Sequence, residues 1–285
     1  MKLKCTVCHK YISEKTRSFE VSDFFSYVYC GNCFNFFLYP FPRNVKKIYK
    51  DEYFVNPCPK NFLIDKLFRL HLYLPYDKLV QKFIKKENAK ILDYGCGDST
   101  FLAKMKALGW EVYGYDISLS AKKLFKRNIG DTNNYYSDLE RLGIVNVNNL
   151  DCVTMWHVLE HLTNPKKDIK VIYKVLKRKA KLFIEVPNAN SLLFIIFGKY
   201  YNWLRVPQHT IYWTSDGIKK FLRSCGFKKI DIYYPFKANL NFSFSILNKY
   251  NRKFLFYITI PLSLMISFVL TKFGKGEVIR VVAEK

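Results

Sequence analysis

The stretch Ile91-Leu92-Asp93-Tyr94-Gly95-Cys96-Gly97-Asp98-Ser99-Thr100 constrains this chain most. An apolar run ends in an acid and two glycines one residue apart. A helix-like segment, Phe101 to Leu108, follows, and then Glu111-Val112-Tyr113-Gly114-Tyr115-Asp116, a second strand ending in a second acid. Strand, glycine turn, helix, strand, acid is the plan of a nucleotide-binding βαβ unit. A side chain in such a turn blocks close approach of a ligand to the backbone. The acid at the end of the second strand suits a ribose, because a carboxylate accepts two hydrogen bonds from a diol. A dinucleotide fingerprint needs a third glycine where this chain has Thr100. The pattern is instead D-x-G-x-G.

With 285 residues, the chain suits one large domain or two smaller ones. Hydrophobic residues make up 49%, enough for a real core, which argues against global disorder. The net charge of +24 fits nucleic acid, an anionic membrane surface, or compositional drift in which Lys, Asn, Ile, Phe and Tyr run high together. Lysine is spread along the chain, and no RNA-binding aromatic motif or zinc-finger helix accompanies it, so nucleic acid is not an expected partner. Met1-Lys2-Leu3-Lys4-Cys5 contains no apolar signal region, which predicts a cytoplasmic protein with its eight cysteines reduced.

Cys5-x-x-Cys8 and Cys30-x-x-Cys33, twenty-one residues apart, have the spacing of two zinc knuckles. Reduced, unliganded cysteines or a disulfide pair are the alternatives. Phe19 to Tyr29 reads as short strands, so residues 1–45 are predicted to form a zinc ribbon that owes its fold largely to a structural Zn2+. His9 and Cys58 are spare.

Residues 46–88 read as a helical linker or cap. Phe62, Leu63, Leu67, Leu70, Leu74, Leu79, Val80, Phe83 and Ile84 recur at helical spacing, with Pro75 dividing two helices. Ser118 caps a helix reaching about Asn128. The stretch Leu150 to Pro165 starts as an apolar strand and ends as a capped turn into a helix, with Pro165 near the first helical turn. His157 and His161 lie four apart, but a zinc protease needs H-E-x-x-H, and here Glu160 directly precedes the second histidine. Lys181 to Asn188 is a strand. The apolar, aromatic stretch 189–213 after it falls where α/β folds keep their ligands and is predicted to be a substrate lid. It contains His209, a candidate base or hydrogen-bonding group whose alternative is a packed loop histidine. Thr214 caps a helix through Cys225, Phe227 to Tyr234 is a strand, and Glu277 to Ala283 is the last strand.

Residues 254–271 carry no charge and barely reach the length of a membrane span. Pro261 interrupts them, and Thr259, Ser263, Ser267 and Thr271 recur at four-residue steps. The segment is expected to be an apolar helix or helical pair that packs on the domain, lies in a membrane interface or forms a dimer contact. Asn251-Arg252-Lys253 and Lys272, Lys275 flank it and suit anionic headgroups.

Asp93-x-Gly95-x-Gly97, with Asp116 ending the next strand, resembles motif I of the class I S-adenosylmethionine-dependent methyltransferases. The resemblance implies an α/β, Rossmann-like seven-stranded sheet over residues 89–285, with helices on both faces and the last strand antiparallel. It implies that Asp93, Gly95, Gly97 and Asp116 position S-adenosylmethionine, with Asp116 on the ribose. Asp138 then meets the adenine amino group, or is an exposed loop acid, and Leu139 lines the ring. Ser99 departs from the family, where glycine is usual, and a serine takes positive φ at a cost. Leu159-Glu160-His161 and Pro207-x-His209-x-x-Tyr212-Trp213 also resemble a branch of this family that carries an N-terminal zinc ribbon and is associated with sugar and surface-polysaccharide assembly. In that branch the residues Met155 to His157 lie beside the sulfonium. The implied protein is a small-molecule methyltransferase. His157, His161 and His209 are its candidates for acceptor contact or proton removal, and its expected acceptor is a sugar, a glycan or a lipid-linked saccharide precursor. A quinone-like lipid acceptor, an RNA-modifying protein and a binding module without catalysis stay open as alternatives.

Overall fold

A computed structural model describes residues 3–12, 16, 18–42, 76–144, 149–236 and 240–285. The expectations for Phe62 to Leu74 and for Cys58 lie outside the described residues. The second helix expected in 46–88 is present as α1 (Tyr76–Phe83).

The main sheet has seven strands. In chain order these are β4 (Lys90–Tyr94), β5 (Glu111–Tyr115), β6 (Tyr135–Tyr136), β7 (Leu150–Trp156), β8 (Leu176–Pro187), β10 (Lys228–Tyr233) and β11 (Val278–Glu284). In space they run β10-β11-β8-β7-β4-β5-β6. The pairs among β4 to β8 are parallel. β11 is antiparallel to both its neighbours, as the resemblance implied. The central strands Ile91-Leu92, Cys152-Val153 and Leu182-Phe183-Ile184 are fully buried, as expected of parallel strands covered on both faces. α2 (Thr100–Ala107), α3 (Leu119–Ile129), α4 (Leu139–Ile144), α5 (Pro165–Val175) and α7 (Ser215–Ser224) complete the wound layers. Their starts follow local chemistry. Ser118 Oγ accepts from Ala121 N, Asn164 Oδ1 from Lys167 N, and Thr214 Oγ1 from Gly217 N, each satisfying one of the N–H groups that a helix start leaves unpaired.

The N-terminal strands β1 (Ser18–Glu20), β2 (Ser26–Cys30) and β3 (Asn35–Tyr39) form an antiparallel meander. This meander does not stand apart. β9 (Ile211–Tyr212), from the stretch read as a lid, adds to it as a fourth strand, with Phe36 opposite Tyr212 and Phe37 opposite Ile211. The ribbon and residues 189–213 therefore share one sheet. α6 (Leu192–Phe197) packs on that sheet, with Phe194 stacked 4.9 Å from Tyr212. Tyr27, Phe36, Leu38, Phe194 and Tyr212 form one buried cluster. Each such side chain contributes about 1.5–3 kcal/mol.

Asn35 is the hinge pin of this junction. It is fully buried. Its Nδ2 donates to Cys33 O at 3.1 Å, and its Oδ1 accepts from Thr214 N at 3.0 Å. A Cβ on Gly217 would come within 1.9 Å of that oxygen, so glycine at 217 is what lets the helix start sit against the ribbon. Asn35→Ala leaves a buried backbone N–H without a partner, and should cost about 1–3 kcal/mol in urea unfolding of the whole chain. Loss of less than a few tenths would show that the junction is not held this way.

Candidate active site

Gly95 and Gly97 take φ of +84° and +48°, so β4 turns sharply into α2. Gly95 N donates to Tyr115 O at 2.7 Å, and Cys96 N to the same oxygen at 3.0 Å, fixing the turn to the end of β5. The need for glycine at 95 comes from inside the protein. A Cβ there would lie 2.4 Å from Val158 Cγ2, so Val158, just after β7, fills the space that glycine leaves.

Ser99, the departure from the family pattern, adopts φ +59° and ψ +16° at the N-cap of α2. The turn keeps its shape at the expense of a left-handed serine.

Asp116 directly follows β5 and is buried. Its Oδ2 accepts from Gly97 N at 3.1 Å and its Oδ1 from Ser118 N at 2.9 Å. Burial raises its pKa, while these donors oppose the rise. Each carboxylate oxygen keeps a further lone pair for a ligand. Asp93 accepts from Thr154 Oγ1 at 2.6 Å, and burial pushes its carboxyl up to about 8. Two acids thus stand beside the turn, acceptors that suit a ligand carrying a diol and a cationic group.

The remaining cofactor-side candidates are placed differently. Asp138 is exposed after β6, its Oδ1 accepting from Glu140 N at 2.7 Å at the start of α4. Leu139 packs partly into the core beside it. The Met155 side chain is fully buried in the core.

Past β7 lies a network the sequence did not announce. His157 follows the strand with φ +56°, and its side chain is 30% exposed. Its Nε2 lies 3.0 Å from Glu185 Oε1 and its Nδ1 lies 3.4 Å from Glu160 Oε1. Glu185, on β8, is fully buried. It also accepts from Tyr76 Oη at 2.7 Å and, through Oε2, from Arg280 Nε at 2.8 Å and Nη2 at 2.6 Å. Tyr76 stacks on Trp156 at 4.0 Å, with the Arg280 guanidinium 5.3 Å from its ring. A buried acid so fully partnered is a fixed charge with little freedom to reorient. The sequence signal was available. Glu185 in Leu182-Phe183-Ile184-Glu185-Val186 and Arg280 in Ile279-Arg280-Val281 are charges in buried strands, and such charges need partners.

His161 and His209 come together, ring centroids 4.7 Å apart, with His209 buried and His161 partly exposed. His161 Nδ1 is 2.9 Å from Gln208 O, and His209 Nδ1 is 3.0 Å from Tyr212 Oη. His209 is 5% exposed. Burial holds both rings below the ordinary histidine range, His209 well below. Thr210 ties the same segment to Glu160 O and Leu162 O, and Tyr27 Oη donates to His209 O at 2.6 Å. These two histidines join the β7 loop to the ribbon sheet.

The four cysteine sulfurs of the ribbon converge within 4.8 Å of one another, with Cys5–Cys33 at 3.7 Å and Cys8–Cys30 at 3.6 Å. The edge of a tetrahedron of sulfurs about 2.3 Å from a central zinc is about 3.8 Å. A cleft of 460 Å³ opens between the ribbon and α6, lined by Phe19, Phe36, Asn190 and Phe194 among others. No residue of the glycine turn lines it.

Comparison with known proteins agrees with this geometry. A model described as a methyltransferase domain matches residues 68–232, more than half of the chain. The chain is 27% identical over 193 residues to the ubiquinone biosynthesis O-methyltransferase of Coxiella burnetii, covering 62% of this chain and 82% of that one. It is 30% identical over 127 residues to the enzyme of the same name from Paraburkholderia phymatum, covering 42% and 55%. Its fold is similar to that of a SAM-dependent methyltransferase from Archaeoglobus fulgidus, with TM-score 0.51, 22% identity, and coverage of 80% of this chain and all of that one. An S-adenosylmethionine-dependent methyltransferase from Mesorhizobium loti gives TM-score 0.50 at 13% identity, covering 75% of this chain and all of that one.

Ser99→Gly removes the left-handed strain at the turn and should raise stability by about 0.5–1 kcal/mol. Chemical denaturation of parent and variant reads it directly, and a loss of stability would mean that the serine hydroxyl outweighs the backbone strain.

Proposed function

The chain belongs to the methyltransferase-domain family, and from that premise we propose that it transfers a methyl group from S-adenosylmethionine to a hydroxyl of a small-molecule acceptor. When bound, the cofactor supplies a methyl already activated by its sulfonium. Asp116 suits the ribose and Asp93 the cationic end, with Gly95 and Gly97 forming the turn beneath. Holding donor and acceptor in line then supplies most of the rate.

The observation that carries the acceptor side is the His157–Glu185 pair. Val158 packs on Gly95, so the residue before it borders the cofactor turn. A hydroxyl acceptor has a proton to lose. With Nε2–H donating to Glu185 at 3.0 Å, His157 can take it on the Nδ1 lone pair, whose contact with Glu160 is long at 3.4 Å, and the two carboxylates stabilise the resulting charge. Arg280 and Tyr76 hold Glu185 in place for that role. The four ribbon thiolates would hold a structural zinc, for which the sulfur spacing is the support.

For the acceptor, a sugar or lipid-linked saccharide suits the part-exposed His157 ring, held from behind by buried Glu185 and Arg280, because polyols are recognised by hydrogen bonding. A second reading, a quinone-like lipid phenol, is favoured by the names of the sequence relatives. Presenting both acceptor classes with radiolabelled cofactor separates them.

Titration calorimetry with S-adenosylmethionine tests the cofactor assignment. Asp116→Ala should weaken binding about 10- to 100-fold by loss of charge-assisted hydrogen bonds. Affinity should also depend on pH. Asp93, held up to about 8, is protonated in the free protein at neutral pH and must ionise to pair with a cationic ligand. Binding therefore releases a proton below pH 8, tightens as pH rises from 6 towards 8, and levels above it. A flat profile would remove Asp93 from this role.

His157→Asn preserves a residue that tolerates positive φ while deleting the imidazole. It should lower kcat by about 10²–10⁴-fold with cofactor affinity changed by no more than a few-fold. Turnover at the parent rate would rule out His157 as the base.

A further inference from the structure

The helix pair near the C-terminus is built inside out. α8 (Asn241–Tyr250) turns at Asn251-Arg252 into α9 (Lys253–Lys272), a single helix that continues through Pro261. α9 is about 30 Å long. In a water-facing helix the apolar stripe packs inward and the polar residues face out. Here the order is reversed. The side chains α9 buries are Ser263 and Ser267 with Phe256, and α8 buries Asn241, Ser243 and Ser245. Thr259 and Thr271 are half-buried on the same four-residue stripe, their hydroxyls turned back on Leu255 O and Ser267 O. The exposed residues are Phe254, Tyr257, Ile258, Leu262, Leu264, Met265, Phe268 and Val269, with Tyr257, Ile258 and Met265 at 65%, 69% and 57%. An apolar face this continuous marks an interaction surface.

Both ends of α9 are fastened to the same body. Asn202 ties down α8 at Asn241 Oδ1 and Ser245 Oγ, at 3.0 and 3.1 Å. After α9, Asn188 Nδ2 donates to Gly276 O at 2.7 Å, and β11 then enters the main sheet. A helix held at both ends by one domain cannot cross a bilayer. It can lie along one.

Charge selects the partner. Residues 232–276 contain no aspartate or glutamate. Exposed Arg252 and Lys253 sit at one end of α9, and exposed Lys272 and Lys275 at the other. A second copy of this face would bring like charges together at both ends with no acid to answer them. An anionic lipid surface answers all four.

We propose that the exposed face of α9 docks flat on a bilayer containing anionic lipids, with its aromatic and aliphatic residues in the acyl boundary and its terminal bases among the headgroups. This inference does not depend on the methyl-transfer reading, because its readout is lipid binding.

The test is flotation of the full-length protein with vesicles of phosphatidylcholine alone and of phosphatidylcholine mixed with phosphatidylglycerol. Binding should be strong to the mixed vesicles, weak to the neutral ones, and reduced by salt. Ile258→Glu combined with Met265→Glu should weaken it at least ten-fold. Lys272→Gln and Lys275→Gln should weaken it about five-fold each. Unchanged circular dichroism and unchanged S-adenosylmethionine affinity in the variants separate lost docking from lost folding. Alkaline carbonate should release the bound protein, and retention would mean a spanning segment and overturn the proposal. Equal binding to neutral and anionic vesicles would overturn it too. So would no vesicle binding by the parent together with a lipid-free dimer that the double variant dissociates, which would make a second copy the occupant.

Discussion

The contact of Val158 with the face of Gly95 sets the geometry of the carboxyl edge. The turn after β4 and the loop after β7 interlock there at a distance that leaves no room for one methyl group. Neither loop can shift without the other, so the groups at the turn and those around His157 keep a fixed relation. The arrangement is costly. Ser99 and His157 both adopt positive φ on the two sides of this contact, at roughly 1–3 kcal/mol each. Such strain persists only where the surroundings over-determine it, and here three adjacent parallel strands with fully buried centres do so. Strained backbone at both of these interlocked loops suits a preorganised site, in which each group is placed before a substrate arrives.

A second constraint runs from the ribbon to the β7 loop. β3 and β9 pair, Asn35 joins Cys33 O to Thr214 N, and Tyr27 bonds to His209 O. The stretch after β8 is therefore no free flap. Its far end is a strand of the ribbon sheet, and its histidine is wedged against His161. Whatever fixes the four cysteines also fixes the wall behind the β7 loop. The ribbon thus acts as a structural buttress whose chemistry, four sulfurs at tetrahedral spacing, differs from that of the site it supports.

Much of this was legible in the sequence wherever the signal is local. The glycine turn, the acid at Asp116 and the caps at Ser118 and Thr214 follow from neighbouring residues, and the antiparallel last strand followed from the family resemblance. What escaped depends on contacts distant in sequence. β9 is two residues long and pairs with a strand about 175 positions earlier, for which no periodicity exists. The family resemblance placed Met155 beside the sulfonium, and its side chain is fully buried in the core. Glu185 and Arg280 look like interruptions in apolar strands until β11 inserts beside β8 and brings them within 2.6 Å of each other. The sequence favoured His209 among three histidine candidates. Burial reverses that order, because His209 is buried while His157 keeps 30% of its side chain exposed and His161 is partly exposed.

The same reasoning gives the serine and threonine repeat in α9 its meaning. In the sequence it weakens an apolar segment and argues against a span. In the fold it is the stripe that lets α9 meet α8 and the domain through small side chains. Small residues allow close helix packing where apolar burial does not drive it. The apolar residues are then released outward, where water gives them no favourable environment. A net charge of +24 spread over a whole chain identifies no partner by itself. It becomes specific where a run free of acids brackets an apolar face of helix length, because only a surface that is both oily and anionic satisfies the two together.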